Sequence, residues 1–198
     1  MKNSLKSPRG LAFLGLMLSI TIILDITPLG TIPLGAISAT ILHIPTIITG
    51  IILGPVAGLI MGTALGIVGL IHALTRPMTL LDPLFANPLV SVLPRMFIGV
   101  VAYYTYFLVG KLFKKDSLKK TVSTFVAGIT GSFTNTALVF LMLYLVYAQD
   151  VVKIMGTSFK VIIFTVFTTN AIAEALISAF IAMPVAIAYF KYQNTKRI

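Results

Sequence analysis

Forty consecutive residues, Ala36 to Thr75, carry no Asp, Glu, Lys or Arg. About a quarter of the residues in a soluble domain are charged, and such a run has no place in one. A bilayer-spanning helix needs ~20 predominantly apolar residues, so the run is too long for one span and suits two. Gly54-Pro55, near its middle, is a turn signal between them. The rest of the chain has the same character. Of its 198 residues 58% are hydrophobic and 10% charged, which excludes an ordinary globular domain and a disordered segment alike.

The expectation is an all-α membrane protein with six transmembrane helices, residues 1–198 forming one integral membrane domain. The spans fall at about 10–26, 37–53, 56–75, 89–110, 121–148 and 161–190. A Pro/Gly-rich loop from Thr27 to Gly35 follows span one, and a second loop with Pro77, Pro83 and Pro88 precedes span four. A basic linker, Lys111 to Lys120, joins spans four and five, and a short polar loop with Asp150 and Lys153 joins spans five and six.

The net charge of +10 invites a nucleic-acid reading, but the placement of the charges argues for a membrane. Eleven of the 15 Lys and Arg residues sit in three segments: Lys2, Lys6 and Arg9; Lys111, Lys114, Lys115, Lys119 and Lys120; Lys191, Lys196 and Arg197. With six spans these segments share one side, which the positive-inside rule makes the cytoplasm. Both termini are then cytoplasmic, and nucleic acid is not an expected partner. Span one lacks an A-x-A-like cleavage site and is expected to be retained rather than removed as a signal peptide. The tyrosines at the span ends, Tyr144, Tyr147, Tyr189 and Tyr192, suit interfacial belts. There is no cysteine, which removes disulfides, thiolate metal sites, Fe–S clusters and cysteine nucleophiles. Two histidines do not suggest a zinc site, and no metal or cofactor is expected.

A charge at mid-bilayer costs about 2.5–3.5 kcal/mol or more, so each one needs a reason. Arg95 falls one to two turns below the outer surface in span four. Asn170 and Glu174 fall near mid-depth in span six, on one face at i, i+4. Asn135 lies near the middle of span five among Ser132, Thr134 and Thr136, while His72 and Arg76 end span three and Asn87 precedes span four. These groups converge on the mid-to-outer part of the bundle beneath two Pro-rich loops. That predicts a pocket open to the exterior, with Arg95, Asn135, Asn170, Glu174, His72 and Asn87 as candidate substrate-binding residues. Each also has a plain structural reading. Arg95 could pair with Glu174 to fix helix packing, and the two asparagines could bond helix to helix. His72 and Arg76 could reach up to interfacial water, and His43 could simply begin span two. Asp25, at the outer end of span one, is expected near water. Loop one, Thr27 to Ser38, is expected to close over the site, with Gly30 and Gly35 as hinges.

Small residues recur at helical spacing: Gly58, Gly62 and Gly66 in span three, and Ala171, Ala175 and Ala179 in span six. Close helix packing inside the bundle is their expected role. Span one carries Ala12, Gly15 and Ser19 and few inward polar groups, so its small face is a candidate docking strip for a partner helix.

With these residues in view, the chain resembles the substrate-binding S components of energy-coupling factor (ECF) vitamin transporters over nearly its whole length. The likeness rests on six spans, a long first loop, His43-Ile44-Pro45-Thr46-Ile47-Ile48, Leu53-Gly54-Pro55-Val56-Ala57-Gly58, and Leu93-Pro94-Arg95-Met96-Phe97-Ile98-Gly99-Val100. The first and last of these stretches look most like the pantothenate-type members. The resemblance implies a multi-pass protein of the bacterial cell membrane that captures a vitamin from outside and is not itself an enzyme. It implies a membrane coupling subunit and two cytoplasmic ATPases as partners, and toppling of the S component in the bilayer during transport. Members carry an Ala-x-x-x-Ala docking face on span one; here Gly15-x-x-x-Ser19, with Ala12 one turn earlier, departs from it but keeps small side chains. The chain has no G-x-x-x-x-G-K-[ST] phosphate loop, as expected of a subunit whose energy comes from elsewhere.

Two other classes fit the sequence less well. An intramembrane enzyme would need a base beside a nucleophile or metal, and neither H-E-x-x-H nor G-x-S-x-G occurs. A self-sufficient secondary transporter would show inverted repeats and ionisable groups leading to both sides, and neither is visible. The inventory of one buried arginine, several Asn and Thr groups, apolar walls and no tryptophan suits a small anion with hydroxyl and amide groups. Pantothenate fits that description, with biotin, hydroxymethylpyrimidine and riboflavin as alternatives.

Overall fold

The computed structural model describes Leu5 and residues 7–33 and 38–195. Helix α1, Pro8–Ile26, begins where the Ser7 side chain accepts a hydrogen bond from Gly10 N at 3.1 Å, with proline in its first turn. Met17, Thr21 and Asp25, spaced four apart, form its buried stripe, while Leu11, Leu16, Ile22, Ile23 and Ile26 point outward. A surface this apolar belongs in lipid.

The next segment departs from expectation. Instead of a loop leading into a full span, β1 (Thr31–Pro33) pairs antiparallel with β2 (Ser38–Thr40), Ile32 opposite Ala39. The candidate hinge Gly35 and the rest of residues 34–37 lie outside the described residues. Helix α2 then covers only Ile44–Leu53, ten residues instead of the seventeen expected for 37–53. At 1.5 Å per residue that is about 15 Å, half a bilayer core. Pro45 explains the late start, because its ring tolerates only the first turn of a helix. All ten residues of α2 are buried by neighbouring elements.

Gly54, at φ +102°, turns the chain into α3, Pro55–Thr75. A 3₁₀ turn, Asp82–Ala86, follows in the second Pro-rich loop. Span four is built from three pieces, α4 (Pro88–Ser91), α5 (Leu93–Met96) and α6 (Ile98–Gly110). Pro94 lacks the N–H that a continuous helix would need at that point. Helix α7 runs from Asp116 to Met155 with a break in helical geometry at Tyr147 (φ −133°, ψ 26°). It therefore absorbs the second half of the basic linker, where Lys120 pairs with Asp116 at 2.7 Å, and the stretch with Asp150 and Lys153 that the sequence placed in a loop. No proline or glycine occurs between Gly131 and Gly156, which ends the helix in the left-handed region. Span six is α8 (Phe159–Val166), a π-turn (Phe167–Ala171) and α9 (Ile172–Thr195). Among the described residues five helical stretches, counting Pro88–Gly110 and Phe159–Gln193 as one each, are long and apolar enough to cross a membrane, and α2 is the short sixth.

The small residues expected to pack inward do so. A Cβ on Gly50 would collide with the Gly99 backbone, and one on Gly58 would lie 2.8 Å from Gly99 C, so α2, α3 and α6 touch backbone to backbone. Gly62 and Gly66 bring α3 equally close to α5 and α4 at Arg95–Met96 and Ser91–Val92. On α9 Ala175 and Ala179 are buried, with Ala179 seated against Gly128 of α7. Such approach substitutes dispersion and backbone contact for the hydrophobic drive that lipid removes.

Gly99→Val should therefore lower the thermal midpoint in detergent by an amount reflecting about 1–3 kcal/mol of overpacking or more. Gly15→Val on α1, where nothing lies within 4 Å of an added Cβ, should leave it unchanged. A scanning fluorescence melt of the two variants checks both, and equal midpoints would refute the crossing as a stability determinant.

Candidate functional site

The shortness of α2 leaves room above its first turn, and a cavity of about 150 Å³ lies there. Thr40 and Leu42, on the approach to α2, line it together with residues from α1, α3, the second Pro-rich loop, α5, α7, α8, the π-turn and α9. Five of the six residues that sequence pointed to meet in this cavity: His72, Arg95, Asn135, Asn170 and Glu174. The sixth, Asn87, is not in the lining. Its Oδ1 accepts from Leu89 N at 3.0 Å as the cap of α4, and its Nδ2 donates to the Tyr147 hydroxyl at 3.2 Å, tying the loop to the break in α7.

Arg95 is held from several sides. Its Nη1 donates to Ser91 Oγ at 2.7 Å and Ser91 O at 3.1 Å, and Ser91 Oγ in turn donates to Gly66 O at 3.0 Å. The guanidinium carbon lies 5.4 Å from the centre of the Phe85 ring, within cation–π range. Gly69 packs directly beneath Nη1, where a methyl group would collide. The pairing of Arg95 with Glu174 does not form. Among the described residues no carboxylate lies within 4.0 Å of the Arg95 guanidinium. Glu174 Oε1 instead accepts from Thr40 N at 2.6 Å, which anchors the end of the hairpin to the first turn of α9.

Asp25 is 5% exposed rather than near water. Its Oδ1 meets His72 Nδ1 at 2.9 Å and its Oδ2 accepts from Arg76 Nη2 at 2.7 Å, so the end of α1 is fastened to the end of α3. The counter-charge makes burial of the carboxylate tolerable. His72 and Arg76 thus serve this pair instead of merely reaching for the interface. Asp82, also in the lining, is spent on its own loop. It accepts from Met78 N at 2.6 Å, Thr79 N at 2.8 Å and Thr79 Oγ1 at 2.6 Å.

Asn135 and Asn170 each retain a buried polar atom, Oδ1 and Nδ2 respectively, with no partner among the described residues. Asn170 Oδ1 accepts from Thr169 Oγ1 at 3.0 Å. His43 lies beyond the cavity lining, fully buried, its Nε2 3.1 Å from Ser132 Oγ and 2.9 Å from Ser178 Oγ. It ties α7 to α9 one turn from Glu174. The apolar wall comes from Leu81, Val139, Phe140, Leu143 and Val166, part of a core cluster at this end of the bundle. The sequence reading missed Gly69, Thr79, Asp82 and Phe85 as lining residues. Asp82 was the legible one, since Thr79-x-x-Asp82 fits the S/T-x-x-acid pattern in which the acid reaches back to the Thr N–H. On α1, Ala12, Gly15 and Ser19 all face outward, away from the cavity.

The cavity thus offers a guanidinium with open donors, unpaired amide atoms and an apolar wall, which suits a small polar molecule with an anionic group. Comparison with known proteins bears on what kind of molecule this is. Residues 9–186 match the family model described as "ECF transporter, substrate-specific component". The chain is also similar to the pantothenic acid transporter PanT of Lactococcus lactis subsp. cremoris (strain MG1363), 23% identical over 171 residues that cover 80% of this chain and 81% of that protein. With its multi-pass bundle of apolar helices and a family match that spans nearly its whole length, the chain belongs to the substrate-specific components of ECF transporters, proteins of the cell membrane.

Proposed function

We propose that this chain is the high-affinity pantothenate-binding subunit of an ATP-driven ECF uptake transporter. The observation that carries the reading is Arg95, lodged in the cavity with its Nη1 fixed by Ser91 and no carboxylate within 4.0 Å among the described residues. An arginine fork matches a carboxylate bidentately, and the substrate's acid group supplies the missing counter-charge. Likeness to a pantothenic acid transporter supports the same substrate. The candidate residues divide accordingly: Arg95 binds the carboxylate, Asn135, Asn170 and Glu174 bind the polar remainder, and His72 holds Asp25 at the rim. Asn87 serves by fixing the loop above the site.

The whole chain works as one membrane domain, with α2 counted as a sixth, half-length span. Both termini are cytoplasmic and the cavity faces the exterior beneath the hairpin. Transport needs a membrane coupling subunit and two cytoplasmic ATPases. The outward strip of Ala12, Gly15 and Ser19 on α1 is the docking face for the coupling subunit. Exposure of that strip, with nothing within 4 Å of a Cβ placed on Gly15, supports the assignment.

Calorimetric titration with pantothenate and with its alcohol analogue tests the site. The alcohol should bind wild type far more weakly than the acid, and Arg95→Gln should lose about 2–5 kcal/mol of pantothenate binding, as truncation of a buried charge pair does. Gly69→Ala should weaken acid binding while leaving the melting temperature nearly unchanged, because the methyl displaces only the flexible tip of Arg95. Equal affinity for acid and alcohol in wild type would refute the carboxylate role.

Docking has its own test. In a complete reconstituted complex, Gly15→Leu should abolish uptake of labelled pantothenate while the isolated variant binds it as wild type does. Undiminished uptake would move the docking face elsewhere.

A further inference from the structure

Positive charge gathers at one place outside the cavity. Between the end of α6 and the first turn of α7 stand Lys111, Lys114, Lys115, Lys119 and Lys120, five lysines in ten residues. All but Lys120 are exposed, and none lines the cavity. Asp116 is the one acid among them, and it pairs with Lys120 at 2.7 Å. Among the described residues no carboxylate lies within 4.0 Å of the other four. Like charges at this density repel one another, and an anion between them relieves the repulsion.

These lysines continue an apolar face. Tyr104, Phe107, Leu108 and Lys111 fall at i, i+3, i+4 and i+7 along α6 and its cap, and all four are exposed. Phe107 and Leu108 are 48% and 58% exposed, so no described element of the chain covers this face. The Phe107 ring stacks on Tyr103 with centroids 6.4 Å apart and holds the Lys111 ammonium 4.5 Å from its centre. Lys119 leans back toward α6, since a Cβ placed on Gly110 would lie 3.2 Å from its Cε. Charge is thereby drawn to the end of the aromatic face. Pro88–Gly110 is long and apolar enough to cross the bilayer, so the lysines that follow it stand at headgroup level.

We propose that this corner binds an anionic glycerophospholipid, with an acyl chain along Tyr104, Phe107 and Leu108 and its phosphate among Lys111, Lys114 and Lys115. The apolar face favours a lipid over a free phosphate, because a soluble ion gains nothing from phenylalanine and leucine. The charge favours an anionic lipid over a zwitterionic one, whose own cation would be carried in among the lysines. A partner protein would need a carboxylate cluster set just beyond an apolar strip of its own. An anionic lipid brings that pairing in one molecule.

The test titrates the full-length protein in a mild detergent with phosphatidylglycerol and with phosphatidylcholine of the same acyl chains, and counts bound lipid by native mass spectrometry. Wild type should retain phosphatidylglycerol about tenfold more tightly than phosphatidylcholine, and added salt should erode the difference. Lys114→Gln with Lys115→Gln should weaken phosphatidylglycerol about tenfold or more, at roughly fivefold per lysine, and leave phosphatidylcholine unchanged. Lys153→Gln with Lys160→Gln removes the same charge from exposed lysines outside this corner and should behave as wild type. Tyr104→Ala with Phe107→Ala should weaken both lipids; should that variant not fold, the exposed lysine variants decide alone. Equal retention of the two lipids by wild type overturns the proposal, as does an equal loss in both lysine pairs. Displacement of phosphatidylglycerol by millimolar glycerol 3-phosphate makes this a site for phosphate alone and overturns the lipid assignment. So does a Lys114→Gln, Lys115→Gln chain that keeps phosphatidylglycerol but no longer assembles with the coupling subunits, which would make the lysines a protein contact.

Discussion

Helix α2 is buried on every side and spans only half a bilayer, and the rest of the architecture follows from that. Its ten residues are packed so tightly that Gly50 rests on the backbone of Gly99, which in turn rests on Gly58. Three helices meeting at glycines leave no room between them, so this part of the bundle is closed. Where α2 has not yet begun, the same neighbouring helices continue without a central partner. The space between them is the cavity, and Thr40 and Leu42 form the edge from which α2 departs. A site that is open toward one end and solid toward the other suits capture of a substrate by a subunit that relies on partners for transport.

Two charged groups define how that cavity is used. Asp25 has its counter-charges within the protein, and with them it fixes α1 to α3 at the cavity rim. Arg95 is oriented by Ser91, Gly69 and Phe85 yet lacks an anion among the described residues, so its fork is preorganised for one that arrives. The contrast gives a structural task to the first and supports the recognition task proposed for the second. The same helix α1 carries Asp25 at one end and the outward strip of small residues toward the other. Cavity rim and proposed docking face are thus on one rigid element.

Much of this was legible in the sequence because lipid imposes simple rules. Uncharged runs marked the spans, and the expensive polar groups Arg95, Asn135, Asn170, Glu174 and His72 marked the cavity they share. The glycines of α3 and alanines of α9 announced close packing, which they provide. What escaped was set by local chemistry that hydropathy does not register. Ser38–Thr40 pairs antiparallel with Thr31–Pro33, so residues that read as the start of a span form a strand instead. Asp150 and Lys153 read as a loop, but without a breaker the helix simply continues past Tyr147 to Gly156. Asp25 read as a surface group because its partners, His72 and Arg76, are 47 and 51 positions away. Such long-range pairing becomes visible only once the helices are assembled.

Central to the whole account is that the cavity holds a small carboxylic acid, and native mass spectrometry of the protein purified from a membrane without added ligand addresses this most directly. The expected result is a bound species released on unfolding with the mass and fragmentation of pantothenic acid. Release of a vitamin without a carboxylate, such as a flavin or a neutral pyrimidine, would contradict the role given to Arg95 and the substrate assigned from it.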